Sequence, residues 1–475
     1  MADDGRPSLD IERHLRYWKM CLRSPLPSLY LSNEGNRMAL AYFIINAINI
    51  LTPHVPTAQL GSDIQPPKPL ITPEDRANLR KWVLSHQHPG GGFSGSISLV
   101  FPLGEYDEWD FETGSRSLEQ SGLANIAATL FALQLLALLA DDESADQAFK
   151  GVDRERTLEW LKRLQREDGS FGEALRRLPT KGWFIAGGYD MRYCYIAAAI
   201  RWILRGDVEK GDTRWVEDID VEGFVGYIRR SQTYDGGFAG SSSEEPHAGY
   251  AYCAVGALYL LDRPLEGSGA FHGSQILSSG IRDMPGLIHW LSSRQFIYIE
   301  PSRTDDRDSD EEDAVNFTLP ASLSSLTLAE NQCLVGVNGR CNKAADTCYS
   351  WWVGASLVTL DNEDLISREP SRRFLLEKMQ HRIGGFGKTP GSPPDLYHAC
   401  FGLASLGVLG EPGLNRVDSS LAVPVETVKR IERARRELLR GAIDGSGAAT
   451  LLRGGVDMGV GLRGGKPDWL TADNR

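Results

Sequence analysis

A short glycine-rich turn recurs along this chain, and it restricts the possible folds more than any other feature. Clear copies occupy residues 90–93, 168–172, 235–240 and 384–387, and a degraded copy occupies residues 338–340. Each copy follows a segment with the hydrophobic period of an amphipathic helix. Most copies precede a second segment that is more apolar and rich in small residues. Repetition of this kind predicts supersecondary units that stack on one another.

Two kinds of helix alternate in the pattern. The amphipathic segments are 79–85, 156–165, 221–232, 286–295 and 372–380, and the apolar segments are 122–140, 193–204, 250–261, 348–360 and 398–409. The segment Arg37–Leu51 is also apolar and would be the sixth of its kind. Helices that are apolar on nearly all faces are buried, whereas a single apolar stripe indicates an outer helix.

The pattern therefore predicts an all-α fold in which an outer ring of helices surrounds an inner ring of six, an (α/α)6 barrel or α-α toroid. The repeat spacing alone leaves an open helical solenoid as an alternative, because a solenoid pairs its helices in the same way. Alternating β patterns are nearly absent, so we expect almost no strand.

The repeats divide the chain into three parts. We expect an N-terminal extension at 1–16, the barrel at 17–410 and a C-terminal extension at 411–475 with one helix at 424–440 and a glycine-rich end. An insertion at about 296–335 interrupts the barrel, and its segment 303–313 carries seven acidic residues. Such a charged, low-complexity run predicts a disordered surface loop.

Composition excludes several classes of protein. The net charge of −12 argues against a nucleic-acid-binding protein, which is usually basic. No apolar run has the length and purity of a membrane span, and no secretory signal is visible at the start. The seven cysteines are scattered and odd in number, which favours reduced thiols and a cytoplasmic protein.

The densest cluster of reactive side chains lies at 339–349, at the start of an apolar helix. It holds the carboxylate of Asp346 and the thiol of Cys348, and His398 begins a later apolar helix. Oxygen, sulfur and nitrogen donors of this kind suit zinc, and three ligands leave one tetrahedral position open, as in catalytic sites. Spacing alone leaves open the alternative that Cys348 and His398 are ordinary core residues.

Several cations precede the predicted inner helices. They are His247, Arg340, Lys343 and, after the last glycine turn, Lys388. In a barrel the N-termini of the inner helices share one end, and their free N–H groups attract anions there. The cations therefore favour a phosphate or diphosphate site, although each one alone could be an ordinary solvated loop charge.

Three motifs are similar to those of the β subunits of protein prenyltransferases, namely GRCNK at 339–343, D-x-CYS-x-W at 346–352 and YH at 397–398. The resemblance extends from about residue 17 to residue 410. It implies an (α/α)6 barrel that binds one zinc ion per β subunit and forms a heterodimer with a helical-repeat α subunit.

The resemblance also implies roles for individual residues. The zinc-ligand positions are Asp346, Cys348 and His398. The positions that hold the isoprenoid diphosphate are His247, Arg340, Lys343, Tyr349 and Lys388. The isoprenoid pocket would be lined by Ala39, Tyr250, Cys253 and Trp352. The peptide substrate would contact Arg192, and Phe401 would help to shape the pocket for its last residue.

Two positions indicate which prenyl group is transferred. Farnesyltransferases and Rab-type geranylgeranyltransferases resemble each other in an Asp at the position of Lys388, and in farnesyltransferase this Asp helps to hold magnesium. Farnesyltransferases also resemble one another in a Trp at the position of Ala39. A lysine supplies the positive charge directly, so magnesium should be dispensable, and a methyl group leaves room for a longer chain. The resemblance is therefore to type I geranylgeranyltransferases.

The implied reaction transfers geranylgeranyl from its diphosphate to the cysteine of a C-terminal Cys-a-a-X sequence, with X mostly Leu or Phe. The expected protein substrates include Rho-type small GTPases. The alternatives are a farnesyltransferase β subunit, a terpene cyclase and a non-catalytic scaffold. Lys388 and Ala39 count against the first, and the zinc-ligand set counts against the other two.

Overall fold

A computed structural model describes residues 7–52, 69–96, 123–178, 182–241, 243–267, 273–300 and 333–440 of the chain. The acidic segment 303–313 and the glycine-rich end after 440, for which the sequence predicts disorder, lie outside the described residues. The start of the apolar segment predicted at residue 122 also lies outside them.

The inner helices occur close to where the apolar segments predict them. They are α2 (Arg37–Leu51), α4 (Ile126–Leu139), α6 (Met191–Leu204), α8 (Ala248–Asp262), α11 (Thr347–Thr359) and α13 (Leu396–Val408). The outer helices are α1 (Ile11–Arg23), α3 (Pro73–Leu84), α5 (Arg154–Arg163), α7 (Val221–Arg230), α9 (Gln275–Gly280), α10 (Met284–Ser292) and α12 (Arg368–Phe374), the last continued by one π-helical turn, Leu375–Met379. A final helix, α14, spans Val425–Arg440.

The inner helices form a closed ring. Each packs against the next in the order α2, α4, α6, α8, α11, α13, and α13 packs against α2. An open solenoid has two unpaired ends, so this closure excludes it. The prediction of an all-α barrel is confirmed.

The first outer helix completes the outer ring. Helix α1 packs against α2, and His14, Tyr17 and Trp18 are buried. The expected boundary between an N-terminal extension and the barrel at residue 17 falls inside this helix. The sequence pattern left α2 without an outer partner because no glycine turn separates α1 from α2.

The glycine turns bind each repeat to the next. Gly169 and Gly384 have φ values of 90° and 93°, a left-handed conformation that favours glycine. A Cβ atom on Gly169 would overlap the carbonyl of Gly223 at the start of α7, and one on Gly384 would lie 2.5 Å from the carbonyl oxygen of Arg13 in α1. The last turn therefore packs on the first helix and closes the outer ring.

In the part of the chain that the structure describes, three short antiparallel strand pairs accompany the helices. They pair β1 (Phe93–Ser94) with β2 (Ala124–Asn125), β3 (Ala174–Leu178) with β4 (Gly182–Ala186), and β5 (Gln295–Ile297) with β6 (Val335–Val337). The strands β3 and β4 were not predicted, because five residues each are too few to show a clear alternating pattern. The β5–β6 pair joins the two edges of the segment 296–335, so the barrel resumes directly after it.

All seven cysteines carry free thiols, in agreement with the absence of a disulfide pattern. Across the part of the chain that the structure describes, no helix is long and apolar enough to span a bilayer.

Candidate metal and diphosphate site

At one end of the barrel, four of the inner helices begin with an aspartate or histidine cap. Asp190, His247, Asp346 and Asp395 each accept a hydrogen bond from a backbone N–H in the first turn of α6, α8, α11 and α13. Such caps satisfy N–H groups that have no partner within the helix. The caps therefore gather polar side chains around one rim of an otherwise apolar barrel.

Two backbone links bring the starts of neighbouring inner helices together. The N–H of Ala248 donates to the carbonyl of Gly339 at 2.9 Å. The N–H of Thr347 donates to the carbonyl of Lys388 at 3.0 Å. These links place the 339–349 stretch between the start of α8 and the last glycine turn.

Asp346, Cys348 and His398 form a candidate metal site. One donor atom from each, an oxygen, a sulfur and a nitrogen, lies within 4.8 Å of the other two. The Nε2 atom of His398 is 3.3 Å from Oδ1 of Asp346. Asp346 and Cys348 are buried, where a carboxylate and a thiol without partners would be unfavourable. The mixed donor set and its spacing fit a zinc ion with three protein ligands.

Asp395 orients the imidazole of His398. Its Oδ2 lies 2.6 Å from Nδ1 of His398, while its Oδ1 caps the helix. This contact leaves Nε2 of His398 directed toward Asp346. Metal-binding histidines commonly have a carboxylate on the other ring nitrogen, which fixes their tautomer. The orienting role of Asp395 was not predicted, although its position three residues before His398, at a helix start, was a usable signal.

Burial and mutual contacts shift the pKa values of all three candidate ligands. Burial would lower the pKa of His398, but hydrogen bonds to Asp346 and Asp395 raise it to about 9. Burial opposes ionisation of Asp346, yet the bond to His398 keeps the pKa of its carboxyl below the usual value. Burial, together with the Asp346 carboxylate, raises the pKa of the Cys348 thiol well above its usual value.

The expected diphosphate residues lie beside this site. Nε2 of His247 is 2.9 Å from the hydroxyl of Tyr349, and Nδ1 accepts the N–H of Gly249 at 3.0 Å. These bonds fit a neutral ring with its proton on Nε2. Burial, and then the nearby Arg340 and Arg192, lower the pKa of His247 to about 4.

The expected cations are at the surface of the rim. Arg340 forms an ion pair with Glu245 at 3.0 Å and remains partly exposed. Lys388 is exposed directly after the last glycine turn, and Lys343 is partly buried. An ion pair at the surface contributes little to stability, so Arg340 can exchange Glu245 for an anionic ligand at low cost.

Arg192 is held by the cap of its own helix. Its guanidinium pairs with Asp190, the cap of α6, at 2.6 Å, and its side chain is 65% exposed. The hydrogen bond to Asp190 raises the pKa of Arg192 further, so it stays charged. The Asp190 carboxylate therefore fixes the position of the guanidinium at the start of α6.

Below the rim the barrel is lined by aromatic side chains, here called the aromatic layer. Its rings contact one another with centroid separations of 4.6 to 5.9 Å. The members are Tyr42, Phe43, Phe131, Tyr195, Tyr252, Trp352, Tyr397 and Phe401.

The four residues expected in the isoprenoid pocket are on the inner helices. Tyr250 is partly buried in the first turn of α8, with its ring 5.3 Å from that of His247. Cys253 is buried one turn further along α8, and Ala39 is partly buried one turn before Phe43. Trp352 belongs to the aromatic layer.

Phe401, which the sequence assigned to the peptide pocket, also belongs to the aromatic layer. Its ring is 4.6 Å from that of Trp352 and 5.9 Å from that of Phe43. It therefore packs against a residue assigned to the isoprenoid pocket.

Comparison with known proteins agrees with this arrangement. Residues 9–423 match the family described as the prenyltransferase alpha-alpha toroid domain. The chain is 30% identical over 436 residues to the geranylgeranyl transferase type-1 subunit beta of Arabidopsis thaliana, a match that covers 88% of this chain and 90% of that protein. It is 28% identical over 425 residues to the protein farnesyltransferase subunit beta of Pyricularia oryzae, covering 85% of this chain and 63% of that protein.

A solved structure shares the fold. The protein geranylgeranyltransferase-I of Candida albicans, solved in complex with GGPP, superposes with a TM-score of 0.64 at 24% identity, covering 90% of this chain and 99% of that chain. The chain therefore belongs to the prenyltransferase family, as an α-α toroid chain similar to the β subunits of type 1 geranylgeranyltransferases.

Proposed function

We propose that this chain is the catalytic β subunit of a zinc-dependent protein geranylgeranyltransferase type I. The observation that carries the proposal is the position of the Asp346, Cys348 and His398 cluster beside His247 and Tyr349 at one rim of an apolar barrel. The similarity to type 1 β subunits supports it. An α subunit, geranylgeranyl diphosphate and proteins ending in Cys-a-a-X are the proposed partner and substrates, and a cytoplasmic location stays a prediction.

Each part of the rim has a task in this proposal. Asp346, Cys348 and His398 would hold the zinc ion, with Asp395 fixing the ring of His398. A zinc ion bound there would lower the pKa of a substrate thiol and so supply a thiolate at neutral pH.

The neighbouring polar residues bind the leaving group. In the transfer, the substrate sulfur forms a bond to the first carbon of the prenyl group while the bond from that carbon to the diphosphate oxygen breaks. Negative charge grows on the diphosphate during this step. Arg340, Lys343, Lys388 and the hydroxyl of Tyr349 would stabilise that charge more in the transition state than in the ground state.

The barrel interior binds the prenyl chain. The aromatic layer offers apolar surface that excludes water from the reacting carbon. Ala39 adds only a methyl group to this lining, which leaves space for a long chain.

The test uses the chain co-expressed with its α subunit. We would compare transfer from geranylgeranyl and farnesyl diphosphates to a Cys-a-a-Leu peptide, with zinc supplied and magnesium withheld. Strong geranylgeranyl transfer without magnesium is the expected result. A preference for farnesyl, or a strict requirement for magnesium, would instead support a farnesyltransferase β subunit.

Lys388→Asp tests the assigned role of the lysine. Replacing the cation by a carboxylate removes positive charge from the diphosphate and creates a magnesium ligand. We expect activity without magnesium to fall at least about tenfold, the effect of about 1.4 kcal/mol in the transition state, and to recover when magnesium is added. The control is Lys150→Asp, because Lys150 is exposed in the loop after α4. Equal effects in both variants would overturn the assignment.

A further inference from the structure

The turn at 339–343 carries an exposed thiol. All seven cysteines lie in the described part of the chain, and Cys341 alone among them is exposed. Asn342 has a φ of 60°, and the N–H of Lys343 donates to the carbonyl of Arg340 at 3.4 Å. These features fit a type II turn with Cys341 as its second residue, a position at which proline is common. The turn itself therefore does not require a cysteine.

A buried guanidinium contacts this thiol. Arg294 lies two residues after α10 and is 5% exposed. Its Nη2 donates to Sγ of Cys341 at 3.2 Å. Its Nε donates to the carbonyl of Trp290 at 3.3 Å, and the guanidinium lies 4.7 Å from the ring centre of the same tryptophan. These contacts hold the positive charge in place beside the thiol.

The guanidinium has an unused donor at this position. Nη1 of Arg294 is buried and has no hydrogen-bond partner among the described residues. A buried charged N–H without an acceptor is unfavourable. The N–H groups of a guanidinium form a rigid planar fork, so an oxygen atom bonded to Sγ of Cys341 would lie within reach of Nη1. The site therefore suits a sulfur that carries an oxygen better than it suits a thiol.

We propose that Cys341 is a site of reversible oxidation by hydrogen peroxide and that Arg294 stabilises the resulting sulfenic acid. In this step the sulfur forms a bond to one peroxide oxygen while the O–O bond breaks. The sulfur loses two electrons to the peroxide, and the second oxygen leaves as water with the thiol proton. Two molecules of a small thiol reverse the step and give water and their own disulfide. Exposed cysteines beside a cationic side chain are typical sites of this chemistry.

Oxidation of Cys341 would act on the diphosphate site. Arg340 and Lys343 belong to the same turn and are proposed to bind the diphosphate, so this part of the inference rests on the proposed function. A sulfenate oxygen adds negative charge to the turn that carries both cations, and this charge repels an anionic ligand. We therefore expect oxidation to weaken diphosphate binding and a small thiol to restore it.

Trapping of the sulfenic acid tests the oxidation site itself. The zinc-loaded α–β complex would be treated with hydrogen peroxide and then with dimedone, and the labelled peptides would be identified by mass spectrometry. We expect Cys341 to carry most of the label, well ahead of Cys21 and Cys333, which are partly buried. Labelling of Cys341 no faster than that of Cys21 or Cys333 would overturn the inference.

Two arginine variants test the role of the guanidinium. Arg294→Lys keeps the positive charge but removes the planar pair of donors. The control is Arg435→Lys, because Arg435 is 2% exposed and its guanidinium lies 4.6 Å from the ring centre of Trp202. We expect Arg294→Lys to shorten the lifetime of the sulfenic acid, measured by dimedone trapping after peroxide is removed, by about tenfold, the effect of one hydrogen bond from a charged group. The control should keep the wild-type lifetime, and equal lifetimes in both variants would overturn the role of Arg294.

Cys341→Ser tests the effect on the diphosphate site. Serine keeps a small polar side chain in the turn but cannot form a sulfenic acid. We would measure the Kd of inorganic diphosphate before and after peroxide treatment, and zinc content would report any damage at Cys348. We expect peroxide to raise the Kd of the wild-type complex by about tenfold, equivalent to about 1.4 kcal/mol, and dithiothreitol to reverse the change. An equal rise in Cys341→Ser would assign the effect to another group and overturn the inference.

Failure of the proposed function gives a different result. If inorganic diphosphate does not bind to the untreated complex and no prenyl group is transferred, the proposed function is wrong, and dimedone labelling still decides whether Cys341 is an oxidation site. If diphosphate binds equally well before and after oxidation of Cys341, only the link between this thiol and the diphosphate site is wrong.

Discussion

Asp395 serves the fold and the candidate metal site with different oxygens. Oδ1 caps α13 and Oδ2 orients His398. Asp346 combines the same two tasks, since it caps α11 and offers a candidate ligand oxygen. Each aspartate therefore fixes both the start of its helix and the geometry of the candidate metal site. A substitution at Asp346 or Asp395 would have to preserve both.

Asp395→Asn separates the two tasks. Asparagine is as good a cap as aspartate, but its amide oxygen accepts a weaker hydrogen bond from Nδ1–H of His398 than a carboxylate oxygen does. We expect zinc affinity to fall about 10- to 100-fold, measured by competition with a chromophoric chelator.

The matched control is Asp283→Asn, which changes the cap of α10. This variant should keep full zinc affinity, because Asp283 caps an outer helix and does not orient a histidine of the metal site. Unchanged zinc affinity in Asp395→Asn would contradict the orienting role of Asp395.

His14 gives the barrel a specific sensitivity to acid. Its Nδ1 accepts the N–H of Gly385 at 3.1 Å, and its Nε2 lies 3.0 Å from the side-chain oxygen of Gln380. Burial lowers the pKa of His14 to about 4, from 6.5 in the unfolded chain. The unfolded state thus binds more protons between these values, so the stabilisation is complete above pH 6.5 and is lost as the pH falls toward 4.

We expect His14→Gln to reduce the loss of unfolding free energy between pH 6.5 and 4 by about 3 kcal/mol. Chemical denaturation across that range measures it. His381→Gln, a change at a partly exposed histidine in the same turn, should keep the wild-type slope. A wild-type slope in His14→Gln would show that another group controls the acid response.

At the scale of elements, each repeat is joined to the next by a glutamine as well as a glycine. Gln87, Gln165, Gln232 and Gln380 lie one to three residues after outer helices, and each pairs with a phenylalanine six residues later. Their side-chain oxygens accept the backbone N–H of an aspartate that caps an outer helix of the next repeat. These aspartates are Asp153 at α5, Asp220 at α7, Asp283 at α10 and Asp10 at α1, respectively. The repeat is therefore a chain of links in which the end of one outer helix fixes the start of the next.

Gly169→Ala tests the contact that the glycine turn after α5 makes with the start of α7. Gly169 combines a left-handed φ with no space for a Cβ atom, so alanine adds a clash to the backbone strain. Gly211 has a φ of 109° and open space around it, so Gly211→Ala carries the backbone strain alone. We expect Gly169→Ala to lower the free energy of unfolding by about 1–3 kcal/mol more than Gly211→Ala. Equal losses, measured by chemical denaturation, would mean that the turn can move away from α7.

Much of this architecture is predictable from sequence, for local physical reasons. The glycine turns and the all-apolar helices such as α4 depend on neighbouring residues, so they appear in the sequence pattern. The packing of Gly384 against Arg13 in α1 joins residues far apart in sequence, and so does the hydrogen bond from the hydroxyl of Tyr195 to the carbonyl of Ser420. No periodicity encodes them. The β3–β4 hairpin was missed because its strands are only five residues long.

In the candidate site, too, the residues could be predicted from sequence while their side-chain geometry could not. Asp346, Cys348 and His398 were predicted from a resemblance in motifs, and the structure brings them together. The orientation of His398 by Asp395 and the packing of Phe401 against Trp352 depend on side-chain geometry, which spacing does not specify. The role of each residue in catalysis stays a prediction.

At the scale of the whole molecule, the barrel should unfold as a unit. Helix α1 packs on the last glycine turn and α13 packs on α2, so each repeat has a neighbour on both sides. We expect denaturation to give one transition, seen at the same midpoint by tryptophan fluorescence and by circular dichroism. Separate midpoints would show that the two ends of the chain part before the remaining repeats unfold.

Ring closure also limits how such a chain can change in evolution. An open array can gain or lose one repeat at its end and keep every other interface. In this ring, one repeat more or fewer would alter the angle between all neighbouring repeats and the width of the central space. Duplication of a single unit is therefore unfavourable, and diversity in such a protein should accumulate in the connections between helices rather than in their number.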